Sequence, residues 1–188
     1  MQKYFGALTI LLLLGLVLAR VRMLKNRGIK AMHFAETNKS DLLILPFALF
    51  HFYIVFAHAS GFRVPGGPAF FDYTIVGWAG VFSCFAGLIL LYWSLVSFGS
   101  SFRVGIDQDN PDKLITTGVF EVTRNPVYLA FWLVLLGEFL IFPTWILLIF
   151  FVCGVLLVHR QVLREEVFLR NYYGLVYEDY CGRVRRYF

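Results

Sequence analysis

Five long apolar runs constrain the fold of this 188-residue chain more than any other feature. They cover residues 4–19, 42–59, 73–98, 126–142 and 144–158. As helices, runs of this kind can cross a hydrocarbon core about 30 Å thick. Hydrophobic residues make up 59% of the chain and charged residues only 15%, unlike an ordinary soluble domain. The sequence therefore predicts an all-α, polytopic integral membrane protein with five transmembrane helices.

Basic residues are distributed unevenly between the connections. Fifteen Lys and Arg lie after the first run, between the third and fourth runs, and in the tail, whereas the other connections hold only Lys3 and Arg63. Because Lys and Arg accumulate in cytoplasmic segments, we expect the N-terminus outside and the C-terminus in the cytoplasm. The same distribution explains the net charge of +5, so membrane lipid is the expected partner and nucleic acid is not.

The longest polar interruption, residues 99–123, divides the chain into two predicted parts. Residues 1–98 would form three transmembrane helices. Residues 99–188 would contain a cytoplasmic loop, a transmembrane hairpin over 126–158, and a helical C-terminal segment with a tail. Pro143 must end the fourth run, so the last two runs are expected to be antiparallel neighbours. That hairpin would bring the start of the fourth run close to the residues after the fifth.

A helix start is predicted at TRNPVY, residues 123–128, where the polar loop meets the fourth run. Asn125 is a suitable N-cap, since its side-chain oxygen can accept from a first-turn N–H. Pro126 fits the first helical position, where no N–H is needed. The free donors and the positive end of the helix dipole favour an anion here.

Two other polar features lie in or beside the apolar runs. Glu138 lies inside the fourth run, and we interpret it as interfacial because it is one turn from Pro143. His51 and His58 share a face of the second run but lack an evident carboxylate or cysteine partner, so no metal is expected there. Glu166 and Arg170 are spaced as an exposed i,i+4 ion pair.

Several protein classes are disfavoured by the sequence. The three cysteines, Cys84, Cys153 and Cys181, have neither metal-binding spacing nor an evident disulfide framework. No dinucleotide-binding, P-loop, zinc-protease or nucleophile-elbow motif occurs.

The second half of the chain resembles isoprenylcysteine carboxyl methyltransferases. The resemblance covers residues 112–186 and is specific as an ordered set: LITTGVF at 114–120, RNPVY at 124–128, REEVFL at 164–169, and the tyrosines from Tyr173 to Tyr180. The same framework also occurs in phospholipid N-methyltransferases and, more loosely, in membrane sterol reductases.

This resemblance implies a membrane methyltransferase that uses S-adenosylmethionine in a cytoplasm-facing pocket. The loop would contact the cofactor, and Phe120 would supply an apolar wall. Glu165 would take a polar group of the nucleoside or amino acid. The implied loop residues are Asp112, Lys113, Leu114 and Ile115, and the residues expected to hold the amino-acid end are Asn125, Pro126, Val127 and Tyr128.

Two positions depart from the family pattern. Gln161 stands at the substrate-side position where Arg is usual, and Asn125 replaces the usual His. A carboxylate nucleophile needs no general base near pH 7, because it is already ionised. It does need a cation to hold it, and Arg160 or Arg164 is placed for that role. We therefore predict Arg160, Arg164 and Glu165 as catalytic residues, and Gln161 with Arg164 as substrate-binding residues.

The sequence leaves several functions open. The first is carboxyl methylation of an isoprenylcysteine or similar lipidic substrate. The second is N-methylation of an amine phospholipid, for which a proton must first be removed; the arginines around Glu165 favour the carboxylate. A reductase is disfavoured by the short chain. A non-catalytic membrane scaffold would tolerate replacement of Asn125, Tyr128 and Glu165.

Overall fold

The fold is built from six α-helices within the part of the chain that the structure describes. The computed structural model describes residues 1–29, 44–62, 64, 69–102 and 113–187. The helices are α1 (Gln2–Asn26), α2 (Ile44–Ser60), α3 (Thr74–Phe98), α4 (Pro126–Ile141), α5 (Trp145–Tyr173) and α6 (Leu175–Arg183). Two short 3₁₀ turns, Gly99–Ser101 and Gly118–Glu121, complete the described elements, which include no strand. The all-helical prediction is confirmed for these residues.

Three of these helices are long and apolar enough to cross a membrane. They are α1 and α3, with 25 residues each, and α5, with 29 residues. The apolar helices α2 and α4 are shorter, at 17 and 16 residues. The structure thus supports a membrane protein with three candidate spans, while the five-span arrangement and its orientation stay predictions.

Helices α3 and α4 approach each other closely because small residues lie at their crossing. A Cβ atom built on Gly80 would lie 2.6 Å from the carbonyl oxygen of Gly137. Ser83 donates to the Leu133 carbonyl oxygen at 2.7 Å across the same interface. Small side chains that let backbones meet, with hydroxyl groups as interhelical donors, are typical of packing in membranes. This contact fixes α4 on a rigid support.

Glu138 is buried in the helix bundle between α4 and α2, whereas its interfacial position in the membrane stays a prediction. Its side chain has no exposed surface, and its Oε2 is paired with His51 Nε2 on α2. An ionisable group buried among apolar helices needs such a partner, since an isolated charge there costs several kcal/mol. No local spacing rule predicts this pair, because the two residues are 87 positions apart.

The predicted hairpin is present. Helix α4 ends at Ile141 and α5 begins at Trp145, and a Cβ atom on Gly154 would lie 2.5 Å from Leu135 Cδ1. Helix α5 continues to Tyr173, well past the apolar run, as the i,i+4 pairs predicted. The hairpin therefore sets the polar part of α5 beside the start of α4.

Candidate functional site

The start of α4 has the predicted backbone but not the predicted cap. Asn125 occupies the N-cap position and Pro126 the first turn, yet the Asn125 side chain does not cap the helix. Its Nδ2 instead donates to Glu166 Oε1 at 3.3 Å and to the Arg186 carbonyl oxygen at 3.2 Å. A carboxylate is a stronger hydrogen-bond acceptor than a neutral group. The Asn125 side chain therefore turns towards Glu166 and does not accept from the first-turn N–H groups.

Glu166 is the common acceptor of this region. It is 5% exposed, and its oxygens lie 3.2 Å from Arg124 Nη2 and 2.7 Å from Arg186 Nη2. Arg186 Nε donates to the same carboxylate at 2.9 Å, and these hydrogen bonds raise the pKa of the Arg186 guanidinium. The expected exposed pair of Glu166 with Arg170 is wrong. Arg170 is 3.9 Å from Glu178, and both side chains are half exposed.

The C-terminal tail runs along the loop before α4. The Arg185 carbonyl oxygen accepts from the Arg124 backbone N–H at 3.1 Å, and the Arg186 carbonyl oxygen accepts from Thr123 Oγ1 at 3.1 Å. The Tyr187 ring packs on Trp132 with centroids 4.6 Å apart. Its hydroxyl lies 2.7 Å from His159 Nδ1 on α5. The tail thus bridges α4 and α5.

The predicted hairpin places His159 and Glu166 beside Arg124 and Asn125, but sequence reasoning missed the tail residues Arg186 and Tyr187 that contact them. The aromatic and basic composition of the tail was the available signal. This composition does not predict which residues the tail contacts, because no local periodicity relates residues 124, 166 and 186.

Glu165 on α5 contacts Tyr128 on α4 across the hairpin. The Tyr128 hydroxyl donates to Glu165 Oε1, and Gln161 Nε2 donates to the same oxygen at 3.3 Å. Gln161 and Glu165 are four residues apart on α5, the spacing at which side chains on one helix face can meet. Gln161 contacts the carboxylate of Glu165, whereas its predicted contact with a substrate stays a prediction.

The two predicted arginines line a shallow, open groove along one face of α5. The groove has a volume of about 420 Å³ and is lined by Leu156, His159, Arg160, Leu163, Arg164 and Val167. Neither Gln161 nor Glu165 is among these lining residues. The predicted catalytic trio is thus divided, with Arg160 and Arg164 on the groove and Glu165 against Tyr128.

The loop residues of the implied cofactor site pack against α6. Phe120 is 5% exposed, and its carbonyl oxygen accepts from the Tyr180 hydroxyl at 2.6 Å. Leu114 and Ile115 pack on the same cluster as Tyr177 and Tyr180, and the pKa of Tyr180 is raised by burial to about 12. Lys113 is exposed, Asp112 lies outside the described residues, and Val127 packs towards α3.

Two buried nitrogen atoms near the start of α4 have no hydrogen-bond partner among the described residues. They are Arg124 Nε and Trp132 Nε1. A buried N–H without an acceptor costs about 1–3 kcal/mol, so each is a place where a ligand acceptor would be favourable. Among the described residues, no cluster of three or more His, Cys, Asp or Glu side chains is placed to hold a metal.

The chain is thus a helical membrane protein with a polar site at one end of the α4–α5 hairpin. This site contains the buried ion cluster around Glu166 and the groove lined by Arg160 and Arg164. The phospholipid methyltransferase family profile matches residues 75–175, which include α4, α5 and all of α3 except its first residue. The chain belongs to this family. The predicted resemblance to membrane methyltransferases is thereby confirmed.

Two curated relatives are also named as methyltransferases. The chain is 30% identical over 127 residues to a probable protein-S-isoprenylcysteine O-methyltransferase from Oryza sativa subsp. indica and to one from subsp. japonica. The match covers 62% of this chain and 63% of each relative's length. No solved structure matches the chain significantly.

Proposed function

We propose that this chain methylates the carboxylate of an isoprenylcysteine-like lipidic substrate, with S-adenosylmethionine as the methyl donor. The groove on α5 is the observation that carries the proposal. It sets Arg160 and Arg164 among Leu156, Leu163 and Val167. A prenyl chain with a carboxylate at its end matches this combination, because guanidinium groups bind carboxylates strongly and apolar side chains favour the hydrocarbon. The names of the rice relatives support the same substrate class.

The residues at the start of α4 fit the methyl donor, which has an ammonium, a carboxylate and a cationic sulfonium. Glu165 offers a half-buried carboxylate to a cation, and its orientation is set by Tyr128 and Gln161. Arg124 Nε and Trp132 Nε1 offer buried donors to an acceptor. When bound, S-adenosylmethionine supplies a methyl group that is open to nucleophilic attack.

The remaining predicted contacts belong to the same proposal. Lys113, Leu114, Ile115 and Phe120 would approach the donor from the loop, together with Asp112. Asn125, Pro126, Val127 and Tyr128 would approach it from the start of α4.

The side chains of this site bind and orient rather than transfer protons. A carboxylate is ionised near pH 7, so no general base is required. Arg160 and Arg164 would hold that carboxylate, Gln161 would lie near its substrate side, and Glu165 would position the donor. Orientation and removal of water then supply the rate enhancement. The groove is open along α5, so a lipid chain can enter it sideways from the bilayer.

The proposal includes the predicted membrane arrangement. Five membrane helices would place the N-terminus outside and the active site in the cytoplasm, with the cofactor-binding half at residues 99–188. The contact between Asn125 and Glu166 supports one element of this, because it puts the start of α4 and the end of α5 at the same end of the hairpin.

A second candidate is N-methylation of an amine phospholipid such as phosphatidylethanolamine. The description of the matching family, phospholipid methyltransferase, favours it. His159 also lines the groove, and an imidazole can remove the proton that an ammonium must lose.

One experiment separates these functions. We would measure S-adenosylmethionine binding by calorimetry on the detergent-purified chain, and then methyl transfer to acetyl-farnesylcysteine and to phosphatidylethanolamine. We expect binding and transfer to the carboxylate. Transfer to the amine lipid alone would favour phospholipid N-methylation over carboxyl methylation. Absence of donor binding would favour a membrane scaffold.

Matched variants test the role of Glu165. Glu165→Ala should lower donor affinity at least about tenfold, since a hydrogen-bonded charge contributes 1.5–3 kcal/mol. Glu178→Ala, which removes a half-exposed carboxylate paired with Arg170, should leave affinity unchanged.

A further inference from the structure

His159 and Tyr187 form a pair on the wall of the arginine groove. We propose that His159 is a third hydrogen-bond donor for the substrate carboxylate, and that Tyr187 fixes which imidazole nitrogen bears the proton. The substrate named here rests on the proposed function, whereas the state of the imidazole follows from contacts within the chain.

The hydrogen bond between the two side chains determines the tautomer. Tyr187 Oη lies 2.7 Å from His159 Nδ1, and Nδ1 is the hydroxyl's polar partner among the described residues. If Nδ1 carried the hydrogen, the Tyr187 hydroxyl would accept, and its own hydrogen would lack a protein acceptor. If the hydroxyl donates, its hydrogen has an acceptor in the lone pair of Nδ1, and the imidazole keeps Nε2–H available to a ligand. The neutral imidazole then carries its proton on Nε2.

The ionisation of Tyr187 agrees with this direction of donation. Burial raises the pKa of the Tyr187 hydroxyl, Glu166 raises it further, and Arg186 acts in the opposite direction. The hydroxyl therefore keeps its proton throughout the neutral range and can donate it to Nδ1.

The position of Tyr187 is held on both sides. Its ring packs on Trp132 with centroids 4.6 Å apart, and the preceding residue, Arg186, is anchored on Glu166. A side chain held in this way loses little freedom when its neighbour binds a ligand. The donor direction of His159 is thus set before the substrate arrives, which is the condition for efficient binding.

The resulting groove presents donors to one end of an amphiphile. Arg160 and Arg164 have no acceptor groups in their side chains, and an imidazole with its proton on Nε2 adds a third donor. Leu156, Leu163 and Val167 line the same groove and suit a hydrocarbon chain. An imidazole in this tautomer has no lone pair at Nε2 to take a proton from an ammonium. The pair therefore favours a carboxylate amphiphile over an amine lipid.

The test needs no methyl donor. We would measure binding of N-acetyl-S-farnesylcysteine and of its methyl ester to the full chain in detergent, by calorimetry. The ester keeps the prenyl chain and loses the charge. We expect the acid to bind at least about tenfold more tightly, because charge-assisted hydrogen bonds contribute 1.5–3 kcal/mol. Equal affinities for acid and ester would overturn the proposal.

Variants distinguish an effect of the imidazole tautomer on binding from an effect of ring packing. Tyr187→Phe keeps the ring on Trp132 and should reduce the preference for the acid about fivefold, as expected for a hydrogen bond worth about 1 kcal/mol. His159→Gln, whose amide nitrogen can replace Nε2–H, should retain the preference, and His159→Asn should reduce it at least as much as Tyr187→Phe does. Tyr172→Phe, on an exposed residue stacked on Phe168, is the control. A preference that is unchanged in both Tyr187→Phe and His159→Asn would contradict the assignment.

The two proposals fail in different ways. Methyl transfer to the prenylated acid with no preference for acid over ester would refute the three-donor groove and leave the proposed function intact. A clear preference for the acid in a chain that binds no methyl donor would refute the methyltransferase and retain the groove.

Discussion

The side-chain amide of Asn125 donates a 3.3 Å hydrogen bond to Glu166 Oε1, 41 residues later in the chain. This contact ties the start of α4 to the polar part of α5. The anion beside the N-terminus of α4 is thus one of the protein's own carboxylates. Arg124 and Arg186 complete its neutralisation, so Glu166 contributes mainly to the architecture of the site.

Replacing Glu166 should destabilise the protein. Glu166→Gln would leave Arg124 and Arg186 without their carboxylate, and breaking a buried pair costs about 3–5 kcal/mol. The loss of stability should lie near the lower end of this range, because the Arg186 side chain is 38% exposed and water can screen its charge. The midpoint of thermal unfolding in detergent measures the effect. Glu178→Gln is the control, and equal midpoints for the two variants would contradict this account.

The buried pair of His51 and Glu138 should show strong energetic coupling. Each single substitution, His51→Ala or Glu138→Ala, leaves the other polar group buried without its partner. The double variant removes both groups, so it should cost less than the sum of the single variants by about 1–3 kcal/mol. A double-mutant cycle of unfolding in detergent gives this number. Additive losses would mean that the two side chains do not stabilise each other.

The crossing of α3 and α4 should not accept a larger residue. In Gly137→Ala, the new Cβ would lie 2.5 Å from Cys84 Sγ and 2.6 Å from the Gly80 carbonyl oxygen, so the helices must separate. We expect a loss of stability even though alanine favours a helix by about 1 kcal/mol over glycine. Gly15→Ala on α1 is the matched control, since nothing lies within 4 Å of its Cβ. Unfolding midpoints of the two variants should shift in opposite directions.

The helix bounds could be predicted from the sequence because apolar runs report which residues contact lipid or other helices. Runs 73–98 and 126–142 closely match α3 and α4. Helix α1 extends past its apolar run to Asn26. Charged residues such as Arg20 and Lys25 end the apolar run, but they do not interrupt the backbone hydrogen bonds of the helix. Apolarity sets the depth of a helix in the membrane, but capping and solvent decide where it stops.

The polar pairings were harder to predict, because they depend on how helices rotate against one another. Gln161 with Glu165 followed from i,i+4 spacing within one helix. By contrast, His51 with Glu138 and Tyr187 with His159 join separate segments. Adjacent residues on α5 also have different roles: Glu165 meets Tyr128, while Glu166 meets Arg124. A one-residue difference turns a side chain by about 100° on a helix, which no pattern of residue types specifies.

The loop and α6 should lose stability at alkaline pH. Burial raises the pKa of Tyr180 from 10.0 to about 12, and the same cause raises the pKa of Tyr177. A raised pKa in the folded state means that the folded protein holds the proton more tightly than the unfolded chain. The stabilisation is therefore complete below pH 10 and is lost as the pH rises through about 12. Tyr180→Phe should flatten this alkaline loss in a pH series of unfolding midpoints, with Tyr172→Phe as the unchanged control.

The orientation of Glu165 should determine how tightly the chain binds S-adenosylmethionine. Tyr128→Phe removes the hydroxyl that donates to Glu165 Oε1, and the carboxylate keeps Gln161 as a donor. Losing one hydrogen bond of about 1 kcal/mol should weaken donor binding roughly fivefold. Combining it with Gln161→Leu should weaken binding further, since both donors fix the same oxygen. Calorimetry with the donor alone measures each step, and acid-over-ester discrimination in the α5 groove should remain in Tyr128→Phe. Unchanged donor affinity in the double variant would show that Glu165 needs neither partner for binding.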